Sequence, residues 1–204
     1  EYSEPRGDLV ITAPIVFGRL HVLPVIADFL AAFPEVNVRL VQGDRIVHLL
    51  DEHVDLALRI GELPDSRLTA TRVGATRRVV CASPAHFSAR DLPASPHELS
   101  GHRCISFDAM GSPDAWSFRV DGGDVSVPVR SRLVVNTAEA AIDAAMAGVG
   151  VTRVLCYQIE SAQSSGRLQT VLREFEPAPQ PISLVYTGQQ RLPLKLRAFL
   201  DFAT

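Results

Sequence analysis

The sequence predicts an α/β fold built as two lobes, and three observations lead there. Short apolar runs rich in β-branched residues alternate with stretches whose apolar residues recur at spacings of three and four, the pattern of strands joined by helices. The connections before Gly61 are short enough to force parallel neighbours. The 204 residues exceed the roughly 150 of an average domain, yet no low-complexity linker cuts them, so two lobes crossed more than once by the chain fit better than two domains in series.

Asp8 opens the run LVITA, a buried strand closed by Pro14. Leu20, Leu23, Ile26, Phe29 or Leu30, and Phe33 then form the apolar stripe of an amphipathic helix. Pro24 lacks an N–H and clashes with the preceding turn, so the helix kinks or begins anew there, and Pro34 ends it. Val36 to Val41 is a second strand, Asp44 caps a short helix through Glu52, and Leu56 to Ile60 is a third strand. Leu63, Pro64 and Asp65 make a turn, and strands follow at Leu68 to Val73 and Arg77 to Ala82.

Pro84, Pro93 and Pro96 punctuate a region of short pieces ahead of a strand at Cys104 to Phe107. Trp116 to Val120 pairs with Val125 to Arg130 through Asp121-Gly122-Gly123-Asp124, a hairpin signal. After a strand at Leu133 to Val135, Asn136 followed three residues later by Glu139 predicts a capping box for a helix that stops at Gly148. A strand at Val151 to Leu155, a helix capped by Gly166, a strand at Ile182 to Tyr186 and a helix opened by Pro193, with Leu196, Phe199 and Leu200 inward, complete the chain. The crossings are expected near Val79 to Ser83 and Ile182 to Tyr186. That gives a linker end at 1–7, a first lobe at 8–80, a second at 81–183 and a return to the first at 184–204.

Twenty basic and twenty-three acidic residues leave a net charge of −3. That balance argues against these residues themselves wrapping a polyphosphate, which needs a surplus of Lys and Arg. Cys81, Cys104 and Cys156 are widely spaced and each sits in an apolar run, so they are expected as buried free thiols rather than a disulfide or zinc set. The polar, acidic stretch Glu1 to Asp8 lacks the profile of a secretory signal. Val22 to Phe33, interrupted by Pro24 and Asp28, falls short of the roughly 20 residues of a membrane span. A soluble, cytoplasmic chain without a membrane partner is the expectation.

No nucleophile elbow, zincin motif, Walker loop or protease pattern is present, so no catalytic residue, metal or cofactor is expected. Gly148-Val149-Gly150 follows a helix and precedes a strand, the reverse of what phosphate cradling needs, and reads as a helix end. His48 and His53, five apart, point away from each other on a helix. The adjacent Asp51 and Glu52 face different ways, as a solvated helix end.

What the sequence does offer is loops at strand tips, where α/β sheets bind ligands because helix starts present unpaired N–H groups. In the first lobe these are Pro14, Ile15, Val16 and Phe17 after strand one, Gly43 and Asp44 after strand two, and Arg59, Ile60 and Gly61 after strand three. The second lobe adds Phe107 and Asp108, then Asn136 and Thr137. Singly, each is an ordinary loop; together they predict a cleft with orphan donors, one guanidinium and apolar walls from Ile15, Val16, Phe17 and Phe107. A small aromatic or carboxylated molecule suits it. Asp44 cuts against an anion, and Arg59 can simply neutralise it.

The segments GDLVITAPIVFGRLHVLPVIADFLAAFPEVNVRL, DLALRIGELPDSRL, TRRVVCASPAHF and NTAEAAIDAAMAGVGV, in that order and spacing, resemble the effector-binding domain of LysR-type transcriptional regulators from Gly7 to Ala203. The resemblance implies two Rossmann-like lobes of the type 2 periplasmic-binding-protein architecture and a small-molecule effector in the cleft. It also implies DNA contact only through an N-terminal winged helix-turn-helix absent from this chain. Antiparallel pairing into a homodimer or homotetramer, with Val22 and Val25 as candidate contact residues, belongs to the same implication. Two departures stand out. GVGVTRVL carries Thr152, Arg153 and Leu155 where relatives have small, apolar and proline residues, which bears on one cleft wall, and Val16 stands where relatives often have Ser. A ligand acting through such a domain must bind one lobe arrangement more tightly than another. An extracytoplasmic solute-binding protein of a transporter shares the architecture, and a small-molecule enzyme is a third reading.

Overall fold

The computed structural model describes residues 4–44, 49, 53–63, 68–107, 115–188 and 191–204. In chain order the elements begin with β1 (Gly7–Ala13), α1 (Ile15–Phe17), a π-helical turn (Gly18–Val22), α2 (Leu23–Ala32), β2 (Val36–Gln42), β3 (Leu56–Ile60) and β4 (Leu68–Thr76). Then come β5 (Arg78–Ala82), α3 (Pro84–Ser88), a 3-10 helix (Pro96–Gly101), β6 (Cys104–Phe107), β7 (Ala115–Val120), β8 (Gly123–Pro128), β9 (Ser131–Val135) and α4 (Ala138–Met146). The chain closes with β10 (Val151–Leu155), α5 (Glu160–Ser164), β11 (Gln169–Val171), β12 (Gln180–Thr187) and α6 (Leu194–Ala203). It divides into two compact units, Glu1–Ala75 with Gln180–Thr204, and Thr76–Pro179.

The first unit is a five-stranded sheet in the order β2-β1-β3-β12-β4. β1 lies parallel to both β2 and β3, and β12 runs antiparallel to β3. Its core gathers Leu9, Ile11, Leu56, Leu58 and Leu184 from the strands with Val22, Ile26 and Phe29 from the first helical stretch and Leu196 and Phe199 from α6. The Phe29 and Phe199 rings meet edge-on at 5.0 Å, the arrangement that sets ring edge against ring face.

The first helical stretch corrects the expected stripe. The Leu23 N–H bonds the Gly18 carbonyl five residues back, one residue more than an α-turn. Pro24 explains the position, because it has no N–H to give the preceding turn and its ring crowds it. The extra residue rotates the phase by roughly 100°. Leu20 and Leu23, expected inward, are 40% and 49% exposed, whereas Val22, expected as an exposed contact residue, is 8% exposed and in the core. Val25 is half-buried against the same core. The helical stretch Ile15–Ala32 is long and apolar enough by length and composition to cross a bilayer, but here Val22, Ile26 and Phe29 are core residues of an α/β unit.

The second unit holds a sheet in the order β11-β5-β10-β6-β9 and the separate β7-β8 hairpin. β10, β6 and β9 run parallel, and β5 pairs antiparallel with both β10 and β11. The hairpin closes on two residues rather than four: Val120 pairs with Gly123, and Asp121 and Gly122 take φ of 50° and 80°, the twist that suits a tight hairpin. Its apolar face sets Trp116, Phe118 and Val127 against Val80, Leu99, Cys104 and Val151. Cys81 and Cys104 are buried and free, and burial pushes both thiols up to about 12, which leaves them inert. Cys156 is only half-buried, with its Sγ 3.5 Å from the Thr76 hydroxyl. Gly148 ends α4 at φ 79°, as expected of a helix end.

Candidate functional site

Each unit brings strand tips together by itself. In the first, β2, β1 and β3 are neighbours and parallel, so the segments 14–17 and 43–44 and the end of β3, Arg59 and Ile60 still paired with β12 and Gly61 just past it, stand at one end of the strands. Hydrogen bonds stitch the first two. The Gly43 N–H donates to the Ala13 carbonyl at 3.0 Å, the Ile15 N–H to Asp44 Oδ1 at 3.1 Å, and Gln42 Nε2 to the Ile15 carbonyl at 3.3 Å. Asp44 thus satisfies an amide at the start of α1. The helix through Glu52 that it was expected to cap lies outside the described residues. The third segment is held from β12, where the Pro181 carbonyl accepts from the Gly61 N–H at 2.9 Å; Gly61 has φ 109°, a backbone that favours glycine.

Exposure differs among these residues. Pro14, Ile15, Phe17, Gly43, Asp44, Arg59, Ile60 and Gly61 are half-buried, while Val16 is buried. One buried group next to this end of the strands escaped the sequence reading: the Thr12 hydroxyl, near the end of β1, has no hydrogen-bond partner among the described residues. Nothing in the run LVITA distinguishes it from an ordinary strand residue.

In the second unit, Phe107 pairs with Val135 across parallel β6 and β9, so Phe107 and the Asn136-Thr137 segment leave the sheet side by side. Thr137, not Asn136, caps α4: its Oγ1 accepts from the Ala140 N–H at 3.3 Å, and Asn136 is exposed. The pairing keeps the chain extended one residue further than the Asn-x-x-Glu spacing suggested. Glu139 therefore does not close a capping box, and its Oε2 is buried without a hydrogen-bond partner among the described residues. Asp108, His48, Asp51 and Glu52 lie outside the described residues.

The substituted segment after Gly150 is strand, not loop. Thr152 is buried and its hydroxyl donates to the Ile105 carbonyl at 3.0 Å. Arg153 is 7% exposed, donates to the Ser117 carbonyl at 3.3 Å and stacks on Trp116. Leu155 is buried as well.

Two cavities belong to single units. One of about 730 Å³ in the first is lined by Thr71, Tyr186, Arg191, Leu192, Arg197 and neighbours on α6. One of about 490 Å³ in the second is lined by Ser100, Gly101, His102, Arg103, Arg130, Ser131 and Arg132. None of the described strand-tip residues lines either. Among the described residues no three His, Cys, Asp or Glu side chains are grouped to hold a metal ion.

Comparison with known proteins places the whole chain. The family model of the LysR substrate binding domain matches residues 3–204. An HTH-type transcriptional regulator of Xanthomonas campestris is 32% identical over 205 residues, covering 98% of this chain and 59% of that protein. The probable HTH-type transcriptional regulator LtrA of Klebsiella pneumoniae is 28% identical over 200 residues, covering 97% and 65%. The chain therefore spans less than two thirds of either relative. The structure of the regulatory domain of CrgA, a LysR-type transcriptional regulator from Neisseria meningitidis, superposes with a TM-score of 0.84 at 28% identity, covering 98% of each chain. This chain belongs to the LysR substrate-binding domain family.

Proposed function

We propose that this chain is the effector-sensing part of a cytoplasmic LysR-type transcription factor, contacting a small molecule through strand tips and contacting DNA only through a further domain. The observation that carries the reading is the arrangement of tips within each unit: three parallel strand ends in the first and two in the second, each leading into donor-bearing loops. Backbone N–H groups and half-buried apolar side chains there suit a small carboxylated or aromatic ligand. The contacting residues are Pro14, Ile15, Val16, Phe17, Gly43, Asp44, Arg59, Ile60, Gly61, Phe107, Asp108, Asn136 and Thr137. The family match supports a regulatory role over transport or catalysis. Self-association as a homodimer or homotetramer belongs to the same proposal, and ligand acts by favouring one arrangement of the assembly.

A thermal-shift panel of small carboxylates, aromatics and amino acids tests it. A ligand at 100 times its Kd adds about 2.7 kcal/mol of stability. The exposed Asn136 is the position of choice for a blocking variant, because Asn136→Trp spares the Thr137 cap. Loss of the ligand-induced gain, with the ligand-free Tm unchanged, is the expected result. An undiminished gain moves the site elsewhere.

A further inference from the structure

The 490 Å³ cavity of the second unit lies at the opposite end of its parallel strands from Phe107 and Asn136. Its lining includes Arg103, which immediately precedes β6, and Arg130, Ser131 and Arg132, where β9 begins. Among the described residues, three guanidinium groups line it and no Asp or Glu does. Among the described residues none of the three makes a hydrogen bond or ion pair through its side chain, and all three are exposed. Glu98, which acts electrostatically on His102, is folded onto its own turn, accepting from the Ala94 N–H at 2.8 Å and the Ser95 hydroxyl at 3.4 Å.

The backbone beneath these side chains is rigid. The Arg103 carbonyl accepts from the Val151 N–H at 2.8 Å, and the Arg130 carbonyl accepts from the Cys104 N–H at 3.2 Å. Arg90 donates to the carbonyl of the lining residue Gly101 at 3.3 Å. The Ser100 hydroxyl bonds the His97 carbonyl and the Ser131 hydroxyl bonds Ser106, so the guanidinium N–H groups are the main side-chain donors for a guest. His102 forms part of the wall and is bonded to His86 behind it at 3.3 Å. In a chain of net charge −3, this is a concave concentration of positive charge with no Asp or Glu among its described lining residues.

We propose that this cavity binds a small, multiply charged phosphate-type oxyanion. Guanidinium groups present paired N–H donors that match phosphate oxygens two at a time, and three on a fixed frame hold a di- or tetra-anion that one could not. Concavity favours a compact guest over an extended polyanion. A bound anion also favours protonated His102, whose imidazole burial, followed by Arg90, holds below its ordinary value with Glu98 opposing. His86 is lowered by burial, then by His102, Arg90 and Arg103.

Inorganic pyrophosphate is the probe, titrated calorimetrically into the chain at constant ionic strength. The expected result is saturable one-to-one binding that weakens by about tenfold or more in Arg130→Ser/Arg132→Ser, a factor corresponding to roughly 1.4 kcal/mol. It should stay unchanged in Arg39→Ser, an exposed control on β2. The same titration followed by NMR should move the His102 ring resonances. Absence of saturable binding, or equal affinity in the double variant, overturns the proposal. So does a short DNA duplex that displaces pyrophosphate and depends on the same arginines more strongly, because that outcome marks a nucleic-acid contact instead.

Discussion

The Arg153 guanidinium sits 5.6 Å from the centre of the Trp116 ring, at a site where Arg153 is 7% exposed and Trp116 3% exposed. Burial, with Arg78 second, pulls the arginine down to about 9, so it is still charged at neutral pH and bears a desolvation cost that the ring face and the Ser117 carbonyl offset. Register explains the Arg78 influence: Arg78 pairs with Leu155 and Val80 with Arg153, which puts the two arginines on one face of the sheet.

Replacing this buried charge with an apolar side chain of similar reach should cost little. Arg153→Met is expected to be neutral or to stabilise by up to about 2 kcal/mol, whereas Trp116→Ala should destabilise by about 3–5 kcal/mol. Urea unfolding measures both. A loss of several kcal/mol in Arg153→Met would show that the cation itself holds the hairpin in place.

The buried His86–His102 pair makes stability depend on pH. Both imidazoles lie below the ordinary value of 6.5, so the unfolded chain takes up protons first as pH falls. The pair's full contribution is present above that value and is lost on acidification. Chemical denaturation at about pH 8 and about pH 6 should give a lower midpoint at the acidic value. His86→Leu/His102→Leu should flatten the difference; an unchanged slope in that variant assigns the dependence to other groups.

Gly150 marks a close approach of two strands. A Cβ there would stand 2.3 Å from the Arg103 carbonyl oxygen, which already accepts from Val151. Backbone on both sides leaves nothing to yield, and Gly150→Ala should cost about 1–3 kcal/mol. Unchanged stability would rule out that approach.

Asp55 holds the parallel pair β1 and β3 at its entry. Its Oδ2 accepts from the Val10 N–H at 2.8 Å and lies 3.5 Å from Lys195 Nζ on α6; the same ammonium also donates to the Asp8 carbonyl. Asp55→Ala strands a partly buried amide and should cost about 1–3 kcal/mol. Lys195→Met removes a partly exposed cation and should cost about 1 kcal/mol or less. The reverse ranking would make the ion pair, not the amide bond, the important contact.

Local chemistry was legible where it was strong. β1, β2, β3, β6 and β10 announce themselves as apolar runs bounded by Pro, Gly or Asp, and Gly148 and Gly166 end helices with positive φ. β11 was not legible, because its three residues, Gln169 to Val171, carry no period and become strand only by pairing with β5. The cap of α4 moved from Asn136 to Thr137 because both side chains can accept the same kind of bond and the β6–β9 register chose between them.

Alone, the sequence determined the alternation of strands and helices, the parallel sheet it demands, and the loops that must stand at the strand ends, since each follows from spacing and turn residues within a short reach. Tertiary structure decided the rest: which face of the first helical stretch turns inward, and which arginines from separate segments share one cavity. Those outcomes depend on a single inserted residue in a helical turn and on strand pairing across the chain, and neither leaves a local pattern to read.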